Sequence, residues 1–135
     1  MNIAQLEDDV LYALAKVVVP KGGSDVDNAQ ITGLLSTVRA SKSWALLRKM
    51  SQHQFEKARK DGEWGADRAA FYDRLFKALG EVEKYADEHV RGLSSLAGGK
   101  LDSKQRQLKD DWTGRLALTL MTHIAAEHRW QRSAP

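Results

Sequence analysis

Apolar residues recur every three or four positions along nearly the whole chain, and this spacing predicts helices. No run of alternating apolar and polar residues lies between turn signals, so no strand is predicted. We therefore expect an all-α fold, a compact single-domain bundle of about five helices over residues 1–135. The length of 135 residues fits one domain with one buried core.

Turn and capping residues set the limits of the predicted helices. Pro20 stops the first helix, and the pairs Asp27–Gln30 and Asp102–Gln105 have capping-box spacing at the start of the second and the last. The five predicted segments are about 3–19, 28–40, 44–61, 67–97 and 102–130. A single kinked helix over 28–60 is the alternative to a break at 41–43.

Four of these helices have well-defined inward faces, and the second turns inward Ile31, Leu34, Leu35 and Val38. The first helix turns inward Ile3, Leu6, Val10, Leu14 and Val17. The third turns inward Trp44, Leu47, Ser51, Gln54, Phe55 and Ala58. The fourth turns inward Phe71, Leu75, Ala78, Leu79, Val82, Ala86, His89 and Leu93.

Positive charge is concentrated in one segment. The chain has a net charge of only +3, yet residues 36–60 hold seven Lys or Arg and a single acid, Glu56. The segments 1–35 and 61–99 on either side each have a net charge of −3. The sequence of this region, RASKSWALLRKMSQHQFEKARK, therefore predicts a local positive surface that its neighbours in sequence do not compensate.

On a helix this charge forms a stripe opposite the apolar face. Lys42, Lys49, His53 and Lys60 fall within about 40° of one another, with Arg48 and Arg59 along the flank. Such a stripe can follow the phosphates of one strand, because each neutralised phosphate releases counterions. The alternative is a solvated helix face on which Glu56 pairs with a lysine at i+4.

Further candidates lie outside this stripe. Trp64, in a Gly-bounded loop, and Trp130, near the C-terminus, are candidates for stacking on a base or packing against a partner. Trp44, Phe71 and Trp112 are predicted to be core residues instead. The predicted nucleic-acid-binding residues are Arg39, Lys42, Arg48, Lys49, His53, Arg59, Lys60, Arg129 and Arg132.

The sequence offers little for catalysis. Its four histidines lack metal-ligand spacing, and His123 is predicted to be a hydrogen-bonded core residue. No phosphate-binding loop or nucleophile elbow occurs, and the absence of cysteine excludes thiolate chemistry. We expect a non-enzyme without metal or cofactor. The longest apolar run, 116–126, is too short to cross a bilayer, and no export signal is visible, so a cytoplasmic protein is expected.

Three stretches resemble the small subunit of type III CRISPR effector complexes. The sequence from Ala29 to Leu35, AQITGLL, is similar to the family's T-S-Q-I-R-x-L-L, with Thr32 at the family's arginine position. Gln54 with Ala58-Arg59 is similar to the end of the following family helix. The family's terminal M-x-x-L-x-A-x-x-K-aromatic is matched by Met121, Ile124, Ala126, Arg129 and Trp130.

The resemblance covers about residues 25–130. It implies a non-catalytic scaffold that faces guide or target RNA, contacts other effector subunits and stacks in several copies. The charge pattern leaves a second class open, a helical interaction module of phage or toxin–antitoxin type, in which the stripe meets an acidic protein rather than nucleic acid.

Overall fold

A computed structural model describes residues 2–20, 26–41, 44–93 and 99–133. The predicted all-α bundle is confirmed, since these residues form five helices and no strand. Helix α1 joins three consecutive segments, Ile3–Gln5, Leu6–Val10 and Leu11–Val18. The other helices are α2 (Asn28–Ser41), α3 (Trp44–Lys60), α4 (Ala66–Leu93) and α5 (Ser103–Ser133), and a 3-10 turn, Gly62–Gly65, joins α3 to α4.

The two predicted capping boxes are present. At the start of α2, the Gln30 N–H donates to Asp27 Oδ1 at 3.0 Å, and the Asp27 N–H donates to Gln30 Oε1 at 3.4 Å. The same exchange at 2.9 and 2.8 Å joins Gln105 and Asp102 ahead of α5. Each box satisfies two N–H groups that a helix start leaves without intrahelical partners.

Helix α5 is the centre of the bundle and packs against α1, α2 and α4, while α3 packs mainly against α4. Its apolar middle is buried on the sides that face these helices, through Leu116, Ala117, Leu120, Met121 and Ile124. The segment 28–60 therefore contains two helices with different main partners. Residues 42–43 of the predicted break lie outside the described residues.

The predicted inward face of α1 is wrong at Val17 and holds only partly at Val10 and Leu14, which pack against the core without being fully buried. Residues Leu6–Val10 form a π-turn, in which the Leu11 N–H donates to the Leu6 carbonyl five residues earlier. This additional residue turns the rest of the helix by about 100°. The buried positions are consequently Leu11, Ala15 and Val18. Of the positions predicted to be buried, Val10 and Leu14 are half-buried, and Val17 is 63% exposed.

The predicted inward face of α4 is confirmed along most of its length. Phe71 through Ala86 are buried at the predicted spacing, and the face continues to Val90. His89 is half-buried, and Leu93, the last residue of α4, is 61% exposed, contrary to prediction. Helical periodicity predicts that the inward face of α4 continues beyond Val90, the last of its residues that other helices bury.

Within the described ranges, no helix combines the length and the apolar character that a membrane crossing requires.

Candidate nucleic-acid interface

The outward face of α3 carries unpaired positive charge. Lys49, His53, Arg59 and Lys60 are all exposed, as predicted, and none forms an ion pair with any residue that the structure describes. Burial of Leu47, Ser51 and Ala58 on the opposite side fixes this orientation. The Glu56–Lys60 pair of the alternative interpretation is not among the ion pairs of the described residues.

Lys57 also belongs to this face, although it is not among the predicted contact residues. It is exposed and lies about 60° around the helix from Lys60, just outside the narrow stripe. A wider angular limit would have included it. We call Lys49, His53, Lys57, Arg59 and Lys60 the basic face of α3.

Arg48 is directed toward the protein. Its guanidinium Nη1 is 3.8 Å from Glu83 Oε2 on α4. The same guanidinium lies 4.8 Å from the centre of the Phe76 ring and 5.8 Å from that of Trp44. An acid and two aromatic rings therefore stabilise this charge within the fold. Arg48 remains a predicted contact residue, but it contributes less free charge than the basic face.

Glu83 also links α3 and α4 to α5. The Lys109 ammonium on α5 is 3.5 Å from Glu83 and 3.6 Å from Asp87, and Arg91 Nε donates to Asp87 at 2.7 Å. That hydrogen bond, with the charges of Arg91 and Lys109, lowers the pKa of Asp87 against the opposing effect of its partial burial. We call these residues, with Arg48, the three-helix ion network.

Two predicted cations lie apart from the basic face or outside the described residues. Arg39 is exposed on α2, where it borders an open cleft of about 420 Å³ between α2 and α5. The cleft is mostly apolar, and Val38 and Leu118 lie among its lining residues. Lys42 is in the segment outside the described residues.

The C-terminal end of α5 has both exposed and tethered residues. Arg129 is exposed and Trp130 is 66% exposed, as predicted for contact residues. Arg132 Nη1, in contrast, donates to the Val26 carbonyl at 3.1 Å. The predicted Arg132 contact therefore competes with a bond that ties α5 to the start of α2.

The basic end of α3 and the end of α5 lie at the same end of the bundle. The buried His128 of α5 has its Nδ1 2.7 Å from Asn28 Oδ1, at the start of α2. Two residues further on, Gln30 lines a small cleft together with Lys57 of α3 and Arg68 of α4. The start of α2 therefore lies close both to the C-terminal end of α3, which leads to Trp64, and to the C-terminal end of α5, which carries Trp130.

The predicted core aromatics and His123 are buried to different degrees. Phe71 is fully buried, and Trp44 and Trp112 pack against the core with part of their surface exposed. His123 Nε2 lies 2.9 Å from the Glu7 carbonyl oxygen, so the predicted hydrogen bond is present, but the side chain is half-buried and not a core residue. Burial raises the pKa of Tyr72, against the charge of Arg68, so this phenol stays neutral at physiological pH.

Metal ligands do not converge in the part of the chain that the structure describes. No group of three or more His, Asp or Glu side chains there is placed to hold an ion. The half-buried His89 instead packs edge-on against Trp112, with ring centres 4.4 Å apart. The candidate interface therefore consists of exposed positive charge and exposed aromatic side chains.

No protein-family model, curated protein or solved structure matches the chain.

Proposed function

We propose that the protein is a non-catalytic small subunit of a CRISPR-type RNA-guided effector complex that binds the RNA backbone through the basic face of α3. The observation that carries the proposal is the outward orientation of five cationic or titratable side chains without ion pairs to described residues. The sequence resemblance to type III small subunits supports the choice of RNA and of an assembled complex.

The basic face suits the backbone of a nucleic-acid strand. Lys49 and Lys60 are eleven residues apart, which corresponds to about 16 Å along a helix. This length accommodates several phosphates of one strand. Lysine binds phosphate as a point charge without fixing its orientation, so the face favours the backbone over base edges.

A second candidate function is that of a helical protein-interaction module. The apolar cleft between α2 and α5 favours it, because exposed apolar surface of this kind occurs at protein contacts. Arg39, Asp111 and Arg115 line the same cleft, so a partner with both apolar and charged groups would fit. In this function the basic face would meet an acidic protein surface.

A salt-dependence measurement on a triple variant tests the RNA-binding proposal. Lys49, Arg59 and Lys60 are changed together to Ala, and affinity for a single-stranded RNA is measured by fluorescence anisotropy at several salt concentrations. Three lost phosphate contacts reduce the slope of log affinity against log salt by about 2, at about 0.7 per contact. The loss is similar for unrelated RNA sequences, because no base is read.

The matched control removes three lysines elsewhere. Lys77 and Lys84 form ion pairs within α4, and Lys104 lies in the first turn of α5. Changing these three to Ala gives the same change in net charge without altering the basic face. Equal slopes for the two triple variants would show a non-specific charge effect and overturn the proposal. Tight binding to an acidic protein, with no RNA binding by the unaltered chain, would favour the interaction module.

A further inference from the structure

Trp64 is the most exposed large apolar side chain among the described residues. It is 91% exposed, whereas Trp44 and Trp112 pack against the core. A tryptophan side chain provides about 150–250 Å² of contact area, and its ring favours stacking. Nothing in the described bundle covers this surface.

The backbone of the turn that carries Trp64 is conformationally constrained. Gly62 has φ of +62°, a conformation that favours glycine. A Cβ at Gly65 would overlap the Ala58 carbonyl oxygen, so only glycine allows this close approach. Across the turn, Arg68 Nη2 donates to Asp61 Oδ2 at 2.8 Å. These constraints hold the backbone without help from the indole ring, which lowers the entropy lost when a partner binds.

The basic face of α3 ends beside this turn. Lys60 is the last residue of α3, and Trp64 follows four residues later. Their Cα atoms are therefore at most about 15 Å apart, at about 3.8 Å per residue. A strand whose phosphates follow the basic face toward the end of α3 thus reaches the indole ring.

The charge next to the ring favours an uncharged partner group. Glu63, directly before Trp64, is exposed and has no ion pair within the described residues. Its carboxylate repels a phosphate at the ring, whereas Lys60 and Arg59 attract phosphates a short distance away. A nucleic-acid strand matches this order, since it has a neutral planar base beside each charged phosphate.

We propose that Trp64 is a stacking platform for one base of a single RNA strand whose phosphates lie on the basic face of α3. This inference rests on the proposed function of α3 and adds a contact to the base itself. Stacking does not distinguish strongly between bases, so the platform contributes affinity with little sequence preference.

Two probes of equal length separate stacking from phosphate binding. One is a twelve-nucleotide uridine RNA, and the other is an abasic ribose-phosphate strand with the same number of phosphates. Trp64→Leu weakens binding of the uridine RNA by roughly 5- to 150-fold, the effect of one stacked base, and leaves binding of the abasic strand unchanged. Trp64→Phe retains part of the affinity because its ring also stacks.

Leu93→Ala is the control for loss of exposed apolar surface. Leu93 is 61% exposed at the other end of α4, and its replacement leaves both affinities unchanged. Circular dichroism of each variant verifies the helical fold.

Three outcomes overturn the inference. An equal loss on both strands shows that Trp64 does not contact a base. Unchanged uridine affinity of Trp64→Leu, with the salt dependence intact, leaves the function of α3 standing and shows that Trp64 does not stack on the bound strand. Failure of the unaltered chain to bind either strand removes the proposed function and this inference together.

Discussion

Helices α3 and α4 pack against each other, yet they differ in how far acidic residues compensate their basic residues. Helix α4 has five basic and six acidic residues, and its ion pairs include Asp73–Lys77 at 2.9 Å and Glu81–Lys84 at 3.2 Å. Helix α3 has five basic residues and one acid, Glu56. The difference shows that compensation by neighbouring acids, rather than the number of basic residues, sets the surface potential.

The two helices also differ in how much they bury. Eight residues of α4 are buried, against three of α3, and α4 contacts both α3 and α5. Helix α3 therefore stabilises the bundle through one narrow side and leaves most of its circumference to solvent. Substitutions on its outward face are expected to change binding, whereas substitutions of the buried residues of α4 lower the stability of the fold.

The largest expected effect tests this division of roles. Phe71→Ala on α4 removes a fully buried ring that lies edge-on to Tyr72 and His128, and lowers the free energy of unfolding by about 3–5 kcal/mol. The triple replacement of Lys49, Arg59 and Lys60 changes it by no more than about 0.5 kcal/mol per site. Urea unfolding followed by circular dichroism measures both.

A comparable destabilisation by the two variants would contradict the comparison, because it would place the basic face in structural contacts. Phe71→Leu serves as the intermediate control, since it keeps an apolar side chain in the same space and loses less stability than the alanine variant.

The next effect comes from the ion pair that joins the two helices. Glu83→Gln removes the carboxylate that faces both Arg48 and Lys109. These pairs are partly exposed, so stability falls by only about 0.2–1 kcal/mol for each. The replacement also releases the Arg48 guanidinium from its acid, and the salt slope of RNA binding rises by up to about 0.7. Helix α3 thereby gains one more free charge.

Glu81→Gln is the matched control for this release. Its carboxylate pairs with Lys84 within α4, so the variant has the same change in net charge without affecting α3. A salt slope that rises equally in both variants would show that Arg48 plays no part in binding.

The sequence was sufficient for the helices, their capping boxes and the inward faces of α3 and most of α4. Those features depend on residues within a few positions of one another, as between Asp27 and Gln30. It failed at the π-turn of α1, where one additional residue in a turn moved Val17 from the predicted core to the surface. A regular period of 3.6 residues does not predict such a turn.

The candidate site was predictable only in part, for a related reason. The outward positions of Lys49 and Lys60 follow from helical periodicity. The partner of Arg48, however, is Glu83, which lies 35 residues away in the sequence and meets it only through packing of α3 on α4. The bond from Arg132 to the Val26 carbonyl likewise depends on how the two chain segments meet. Local sequence shows where charges occur, and tertiary contacts decide which of them stay free.

A smaller effect concerns the pH dependence of stability. The hydrogen bond and charge of Arg91, with the charge of Lys109, hold the pKa of Asp87 below its ordinary value of 3.8. A lowered folded-state pKa stabilises the fold above the unfolded-state pKa, and this stabilisation is lost as the pH falls through the folded-state value. Asp87→Asn abolishes this contribution.

Unfolding by urea at a series of acidic pH values measures the difference. The unaltered chain loses stability more steeply than Asp87→Asn as the pH falls below the ordinary aspartate pKa of 3.8. Parallel curves for the two proteins would mean that Asp87 has the same pKa in the folded and unfolded states.

The smallest expected effect tests the outward face of α3 through its only acid. Glu56 is exposed and lies on the same side of α3 as Lys49 and Lys60, without an ion pair in the described part of the chain. A unit charge about 10 Å from a phosphate in water interacts by about 0.4 kcal/mol, so Glu56→Gln strengthens RNA binding about twofold at low salt. The gain disappears at high salt, where the Debye length falls to about 3 Å.

Asp8→Asn is the matched control. Asp8 is exposed on α1, and α1 and α3 make no contact within the described residues. Anisotropy titrations at two salt concentrations distinguish the two variants, and an equal gain in both would mean that RNA senses only the net charge of the protein and not the face of α3.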